Sequence, residues 1–127
     1  MIKELKELIK NAYAPYSNYV VAAIVVMEDG NIFRGVNVEN ASYGATICAE
    51  RNAINNAIAA GYKKGQFKEL HVMVDSDIMA TPCFICRQVI SEFMDDSLII
   101  KLYTTNGKEL DINYNDIITM PFTKENF

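Results

Sequence analysis

The sequence predicts an α/β fold, a three-layer α/β/α sandwich built on a mixed five-stranded sheet. Apolar, β-branched runs alternate with segments of helical periodicity along the chain, and strands interleaved with helices form such layers. Two turn dipeptides, D-G at 29–30 and N-G at 106–107, each favour a hairpin, which adds antiparallel pairs to the sheet. The length of 127 residues suits one domain, 1–127, with a sizeable core.

The first half of the chain predicts a helix, a hairpin and a second helix. Apolar side chains recur at helical spacing in the two helical segments, and a continuous apolar run between them indicates a strand covered on both faces. Pro15 and Gly61 lie just beyond the two helices, where residues that end a helix are expected. The predicted elements are a helix over 2–13, strands over 20–27 and 32–36, and a helix over 48–60.

The second half predicts a strand, a third helix and a terminal hairpin. Thr81 is a favourable N-cap and Pro82 suits the first helical position, so the third helix is expected to begin there. Its predicted end is Phe93. The predicted strands cover 70–74 and 98–103, with an antiparallel return through Leu110 and Ile112 after the second turn dipeptide.

Charge and composition exclude several classes of protein. The net charge of -4 argues against a nucleic-acid groove, which needs basic residues to neutralise phosphates. No apolar run approaches the roughly 20 residues of a membrane span, and the charged N-terminal pattern is unlike a signal peptide. Three cysteines, all assigned below to one metal site, leave none for disulfides and favour the reducing cytoplasm.

The most informative residues form a C-x-E motif at Cys48 and Glu50 and a P-C-x-x-C motif that contains Cys83 and Cys86. A zinc ion held by all three cysteines would keep one of its four tetrahedral positions open. An open position beside a carboxylate that is not a ligand is the arrangement of a hydrolytic metal site. The combined spacing resembles the signature of zinc-dependent base deaminases.

Three more inferences concern the surroundings of this site. Glu50 shares a helical face with Ile54 and Ile58, which predicts an inward carboxylate whose pKa is raised by burial and which can carry protons. The alternative for Glu50 is a helix-start glutamate favoured by the helix dipole. Arg51 is expected to donate to a cysteine thiolate, or else to be a solvated surface arginine. His71 either completes a structural zinc site or packs within its apolar strand, and its strand position favours packing.

Over nearly its whole length, from the run A-P-Y-S at 14–17 to Phe122, the chain resembles the small, homotetrameric cytidine deaminases of nucleoside salvage. The resemblance implies one Zn²⁺ per chain and hydrolytic deamination of cytidine and deoxycytidine to uridine and deoxyuridine in pyrimidine salvage. The implied zinc ligands are Cys48, Cys83 and Cys86, and Glu50 is the implied proton shuttle.

The resemblance also implies a nucleoside pocket. The element N-V-E-N at 37–40 would place Asn37 and Glu39 on the ribose 3′-hydroxyl. Tyr19, where the family usually has Phe, would stack on the base, with core packing as an equal alternative. The backbone of Ala49 would face the pyrimidine edge.

A homotetramer with shared active sites is implied as well. In the family, C-terminal aromatics of one subunit close the pocket of another. Tyr43 and Phe122 are the candidates here for side chains that reach into a neighbouring subunit's site. Large exposed apolar patches mark interfaces, and the apolar residues expected to contribute are Phe84, Ile85, Phe93 and Phe122. Phe84 and Ile85 depart from the small residues that the family usually carries between its paired cysteines.

Other functions remain open from the residues. One is deamination of a cytosine nucleoside antibiotic of the blasticidin type, a relative that is not expected to carry the ribose element. Another is a structural zinc domain for protein binding, which would need His71 or an outside group to close the metal site. Polynucleotide editing is disfavoured by the acidic balance of the chain.

Overall fold

The computed structural model describes residues 1–127 and places a single sheet between helices. The helices are α1 (Ile2–Leu8, continued by a 3₁₀ turn at Ile9–Asn11), α2 (Ala49–Ala59), α3 (Phe84–Phe93) and α4 (Tyr114–Ile117). The strands are β1 (Val21–Met27), β2 (Ile32–Val36), β3 (Phe67–Val74), β4 (Ile99–Thr104) and β5 (Glu109–Asn113). Two further 3₁₀ turns cover Tyr43–Ala45 and Lys124–Asn126.

The five strands form a mixed sheet in the order β2-β1-β3-β4-β5. β1 runs antiparallel to β2 and β3, β4 and β5 are antiparallel, and β3 and β4 are parallel. The parallel pair is joined by the crossover through α3, while both hairpins turn at glycines in the left-handed region, Gly30 (φ 89°) and Gly107 (φ 101°). The predicted mixed five-stranded sheet and both predicted hairpins are confirmed.

Helices cover both faces of the sheet. The larger apolar cluster joins the inner faces of α2 and α3 to Leu70 and Val72 of β3. The smaller one joins Leu5 and Ile9, from the first helix and its 3₁₀ continuation, to Met73 on the opposite face of the same strand. Successive strand residues point to opposite faces of a sheet, so β3 contributes to a core on each face. The sheet therefore lies between two layers of helices, as predicted. No helix has the length and apolar character needed to cross a membrane.

Two predicted helix boundaries were wrong, for tertiary reasons. α3 begins at Phe84, and its N-cap is Cys83 rather than Thr81, because the Thr81 hydroxyl accepts a hydrogen bond from Arg87. The first helix ends at Asn11 because the backbone N–H of Tyr13 donates to the Asn37 carbonyl at 3.0 Å. Pairing with a distant segment overrides the local helical pattern in both places.

The helix that carries Glu50 lies directly against β2 at Gly35. A methyl group at position 35 would approach the carbonyl oxygen of Ala49 and the amide nitrogen of Ala53 to well under 3.0 Å. A glycine inside a strand commonly marks such a close approach between backbones. Gly35 therefore sets the distance between the sheet and α2.

Two asparagines of α2 add hydrogen bonds to this contact. The side-chain amides of Asn52 and Asn56 donate to the carbonyls of Val36 and Arg34, both at 2.8 Å. β2 is an edge strand, so these amides satisfy carbonyls that have no strand partner. Hydrogen bonds to the residues before and after Gly35 therefore fix the orientation of α2, and with it the position of Glu50.

Candidate metal centre and substrate cavity

The three cysteines come together at the start of two helices. Cys48 is the N-cap of α2, Cys83 is the N-cap of α3, and Cys86 lies in the first turn of α3. The Sγ atoms of Cys48 and Cys83 are 3.8 Å apart, and all three sulfurs lie within 4.8 Å of one another. Zinc–sulfur bonds of about 2.3 Å at tetrahedral angles put two sulfurs about 3.8 Å apart. The cluster therefore fits a zinc ion with three thiolate ligands.

The surroundings of the cluster favour a thiolate at Cys48. Arg51 directs Nη2 toward Cys48 Sγ at 3.6 Å and toward the Thr46 carbonyl at 3.5 Å, which agrees with the predicted thiolate contact. Hydrogen bonding from Cys86, and then from Arg51, lowers the pKa of Cys48 to about 5. The same hydrogen bond, in which Cys86 is the donor, raises the pKa of Cys86. Helix N-termini add partial positive charge beside the sulfurs.

Glu50 is a buried carboxylate beside this cluster. Its side chain is on the same helical face as Ile54, and the residue is 5% exposed. Burial raises its pKa above that of an ordinary glutamate. Glu50 nonetheless lines the same cavity as Cys48 and Cys83, so its carboxylate is accessible to a small molecule there. The predicted inward orientation is found, and proton transfer by Glu50 stays a prediction.

One cavity of about 290 Å³ joins the metal cluster to the predicted substrate residues. Tyr19 is 41% exposed and lines this cavity instead of packing in the core. No lysine, arginine or histidine lines it. The predicted residues that share the cavity are Tyr19, Asn37, Glu39, Cys48, Ala49, Glu50 and Cys83.

Asn37 connects β1 to the segment that carries Tyr19. Its Oδ1 accepts a hydrogen bond from the backbone of Val21 at 2.9 Å, and its Nδ2 donates to the Tyr19 carbonyl at 2.8 Å. One hydrogen on Nδ2 and one lone pair on Oδ1 remain for a ligand. Asn37 therefore holds the cavity wall in place and can still contact a substrate.

Glu39 is held as an oriented carboxylate. Its Oε1 accepts hydrogen bonds from the backbone N–H groups of Tyr16 (2.9 Å) and Ser17 (3.1 Å), and the Ser17 hydroxyl donates to Oε2. The hydrogen bond from that hydroxyl lowers the pKa of Glu39. Ser17 also accepts from the backbone N–H of Tyr19. This role of Ser17 was not predicted from the sequence, although the residue stands in the A-P-Y-S run at 14–17.

His71 is not part of the metal cluster. It is buried on the α1 face of β3, whereas Val72 and Val74 of the same strand line the cavity. Its Nδ1 is 2.8 Å from the Tyr103 hydroxyl, and its Nε2 is 3.4 Å from Glu69 Oε1. The prediction of a packed histidine is confirmed. A structural zinc site closed by His71 is excluded, because the sheet lies between the His71 side chain and the three cysteines.

The two residues predicted to reach a neighbouring subunit lie outside this cavity. Tyr43 is 77% exposed and contacts Tyr16 edge-on, with ring centroids 6.1 Å apart. The two rings line an adjoining cavity of about 360 Å³ that shares Ser17 and Glu39 with the first. Phe122 is exposed and stacks on Phe127.

The expected apolar surface is present with one correction. Phe84 and Ile85 are exposed, and Phe84 shares a groove with Phe122. Phe93 was wrongly expected at this surface, because it packs against the core with its ring centroid 6.4 Å from that of Phe67. Residue type alone did not distinguish the buried phenylalanine from the exposed ones.

Comparisons with known proteins agree with this arrangement. The family model for the cytidine and deoxycytidylate deaminase zinc-binding region matches residues 1–102. Cytidine deaminases from Sporosarcina psychrophila and Halalkalibacterium halodurans are 38% and 36% identical over 125 residues, or 98% of this chain and 90% and 93% of theirs. The 1.6 Å crystal structure of a cytidine deaminase from Burkholderia pseudomallei superposes with a TM-score of 0.90 at 40% identity, covering 95% of each chain.

Proposed function

The chain belongs to the zinc-dependent cytidine and deoxycytidylate deaminase family, and we propose that it hydrolyses cytidine and deoxycytidine to uridine and deoxyuridine in pyrimidine salvage. The observation that carries this proposal is the single cavity lined by Cys48 and Cys83 of the three-cysteine cluster, by a buried carboxylate, and by the Asn and Glu of the N-V-E-N element. The three free thiols suit the reducing cytoplasm.

The reaction adds water to C4 of the base and releases ammonia. Zinc, when bound by Cys48, Cys83 and Cys86, supplies a Lewis acid that activates water beside the base. Glu50 moves the protons: its carboxylate takes a proton from the attacking water, delivers one to N3 and then assists departure of the amine. Arg51 donates to the Cys48 thiolate and so offsets part of the negative charge of three sulfurs.

The lining of the cavity favours a nucleoside over a nucleotide or a polynucleotide. Asn37 and Glu39 present an amide and an ionised carboxylate, which suit sugar hydroxyls. Neither this cavity nor the adjoining one at Tyr16 and Tyr43 is lined by a basic side chain. A 5′-phosphate would meet the charge of Glu39 without a cation to compensate, which is unfavourable.

A substrate panel tests the proposal. Cytidine, deoxycytidine, deoxycytidylate, free cytosine and blasticidin S are compared at fixed enzyme and zinc concentrations, with ammonia release as the readout. We expect the two nucleosides to have the highest kcat/KM. A clear preference for blasticidin S or for deoxycytidylate would contradict the proposal.

Glu39→Ala is expected to raise KM for cytidine by about tenfold or more, because charge-assisted hydrogen bonds contribute roughly 1.5–3 kcal/mol each. Residual turnover of free cytosine, which lacks the sugar, should change comparatively little. Ser17→Ala should raise KM by less, since it removes one hydrogen bond that orients Glu39 while the carboxylate and its two backbone hydrogen bonds remain. Equal losses on cytidine and cytosine would instead assign Glu39 a structural role.

We also propose that the active protein is a homotetramer whose sites are shared between subunits. The support is the exposed apolar surface of Phe84, Ile85 and Phe122 on one chain, since such patches are usually covered in closed symmetric assemblies. Tyr43 and Phe122, both outside the cavity of their own chain, are the candidates to reach another chain's site.

Phe122→Ala is therefore expected to weaken assembly and to lower activity together. Sedimentation velocity gives the assembly state, and steady-state kinetics at the same protein concentration give KM and kcat. Leu110→Ala, an exposed leucine on β5, is the control for loss of an apolar surface side chain. A fully active monomer, or an unchanged KM in a Phe122→Ala tetramer, would contradict the shared site.

A further inference from the structure

The segment that delivers Cys83 to the metal cluster has no regular secondary structure. It runs from Asp75 at the end of β3 to Cys83 at the start of α3. Its first part is anchored: the Asp75 N–H donates to the Val20 carbonyl, and Lys108 donates to the Asp77 carbonyl. The second part, residues 79–82, makes no backbone–backbone hydrogen bond. This second part immediately precedes a metal-site cysteine.

Arg87 provides the polar contacts of this second part. Its Nε donates to the Pro82 carbonyl at 2.7 Å, and its Nη2 donates to the Thr81 hydroxyl at 2.8 Å. No other hydrogen bond of the protein involves residues 79–82. A planar guanidinium can reach two separate acceptors at once with little loss of its own freedom.

Two further contacts hold the guanidinium, and one hydrogen bond holds the backbone of Arg87. The Phe84 ring lies beneath it, with its centroid 4.4 Å from the guanidinium carbon, a distance at which cation–π attraction operates. The backbone N–H of Arg87 donates to the Cys83 carbonyl at 2.9 Å, within the first turn of α3. A longer contact of 3.4 Å joins Nη1 to the Ile117 carbonyl. Arg87 thus connects the segment before Cys83 to the helix that carries Cys86.

We propose that Arg87 is a positioning residue that holds Cys83 close enough to Cys48 and Cys86 for all three to bind one zinc ion. The proposal rests on the proposed function in one respect, that Cys83 is a zinc ligand. Thr81 and Cys83 also line the substrate cavity, so the same contacts shape one wall of it. Glu50 lies on α2, to which Arg87 makes no hydrogen bond, so loss of the Arg87 contacts is not expected to move it.

Arg87→Met is expected to weaken zinc binding by about 10–100-fold, the usual effect of losing a group that orients a metal ligand. At saturating zinc, KM for cytidine should rise more than kcat falls, because the cavity wall is loosened while Glu50 stays in place. Arg87→Lys should restore zinc affinity only in part, since one ammonium cannot reproduce the two-acceptor geometry. Glu92→Met, an exposed position on α3, is the control and should retain wild-type zinc affinity.

The experiment measures the zinc dissociation constant by competition with a chromogenic chelator, alongside the thermal unfolding midpoint of the zinc-free protein. Thr81→Val serves as a second variant in case Arg87→Met folds poorly. Thr81→Val removes one of the acceptors of the Arg87 side chain. We expect severalfold weaker zinc binding and an unchanged unfolding midpoint. Combining it with Arg87→Met should weaken zinc binding no further than Arg87→Met alone. Unchanged zinc affinity in Arg87→Met or in Thr81→Val would overturn the proposal. It would also be overturned if the double variant lost zinc affinity by the sum of the two single losses in binding free energy. The wild-type protein, measured first for zinc and cytidine turnover, tests the proposed function separately.

Discussion

Glu50→Gln is expected to lower kcat for cytidine by about 10²–10⁴-fold, the usual contribution of a general acid–base group. The amide has nearly the same shape as the carboxylate, so zinc content and fold should be retained. It cannot take a proton from water at neutral pH, and every proton transfer assigned to Glu50 then lacks its carrier. The loss should therefore appear in kcat, measured at saturating cytidine together with metal content.

Glu39→Gln is the matched control, because it makes the same chemical change at another carboxylate of the same cavity. Its effect is expected in KM, since Glu39 is assigned to the sugar and not to the reacting atoms. The contrast separates loss of a proton carrier from a general change in the charge of the cavity. A Glu50→Gln protein with full zinc and more than about a tenth of wild-type kcat would contradict the assigned role.

The sheet and the metal site were predictable because their signals are local or have fixed spacing. The turn glycines Gly30 and Gly107 mark both hairpins, and the observed strands lie within a few residues of the apolar runs. The three cysteines meet because the helices that begin after Cys48 and Cys83 both start at the same cavity. Such features depend on neighbours in sequence or on a recognised motif.

The features that were missed depend on contacts between segments distant in sequence. Thr81 has the side chain of a good N-cap, but the fold brings Arg87 to its hydroxyl and the helix begins later. Phe93 has the same residue type as Phe84, yet one packs on the core and the other is exposed. Gly35 carries a weak sequence signal, a glycine inside a strand, whose meaning is clear only when α2 is seen against it.

Gly35→Ala is expected to destabilise the fold and to reduce activity through the position of α2. The added methyl group would meet backbone atoms of Ala49, Asn52 and Ala53, and no side-chain rotation can relieve a contact with backbone. Helix and strand would have to separate by roughly 1–1.5 Å to restore ordinary van der Waals contact. Overpacking of this kind typically costs about 1–3 kcal/mol of the free energy of unfolding, which lowers the melting temperature by about 5–10 °C in a chain of this size.

The same displacement moves the two functional groups that α2 carries, Cys48 and Glu50. Misplacement of a catalytic group by about 1 Å can reduce turnover by roughly 10²-fold, so kcat should fall even at temperatures where the variant is fully folded. Circular dichroism melting and kcat well below the melting temperature measure the two effects separately. Gly44→Ala is the matched control: a methyl group there meets open space, and stability and kcat should stay near wild type. Wild-type melting and turnover in Gly35→Ala would show that β2 and α2 are not held together at this contact, because a backbone clash cannot be absorbed without moving one of them.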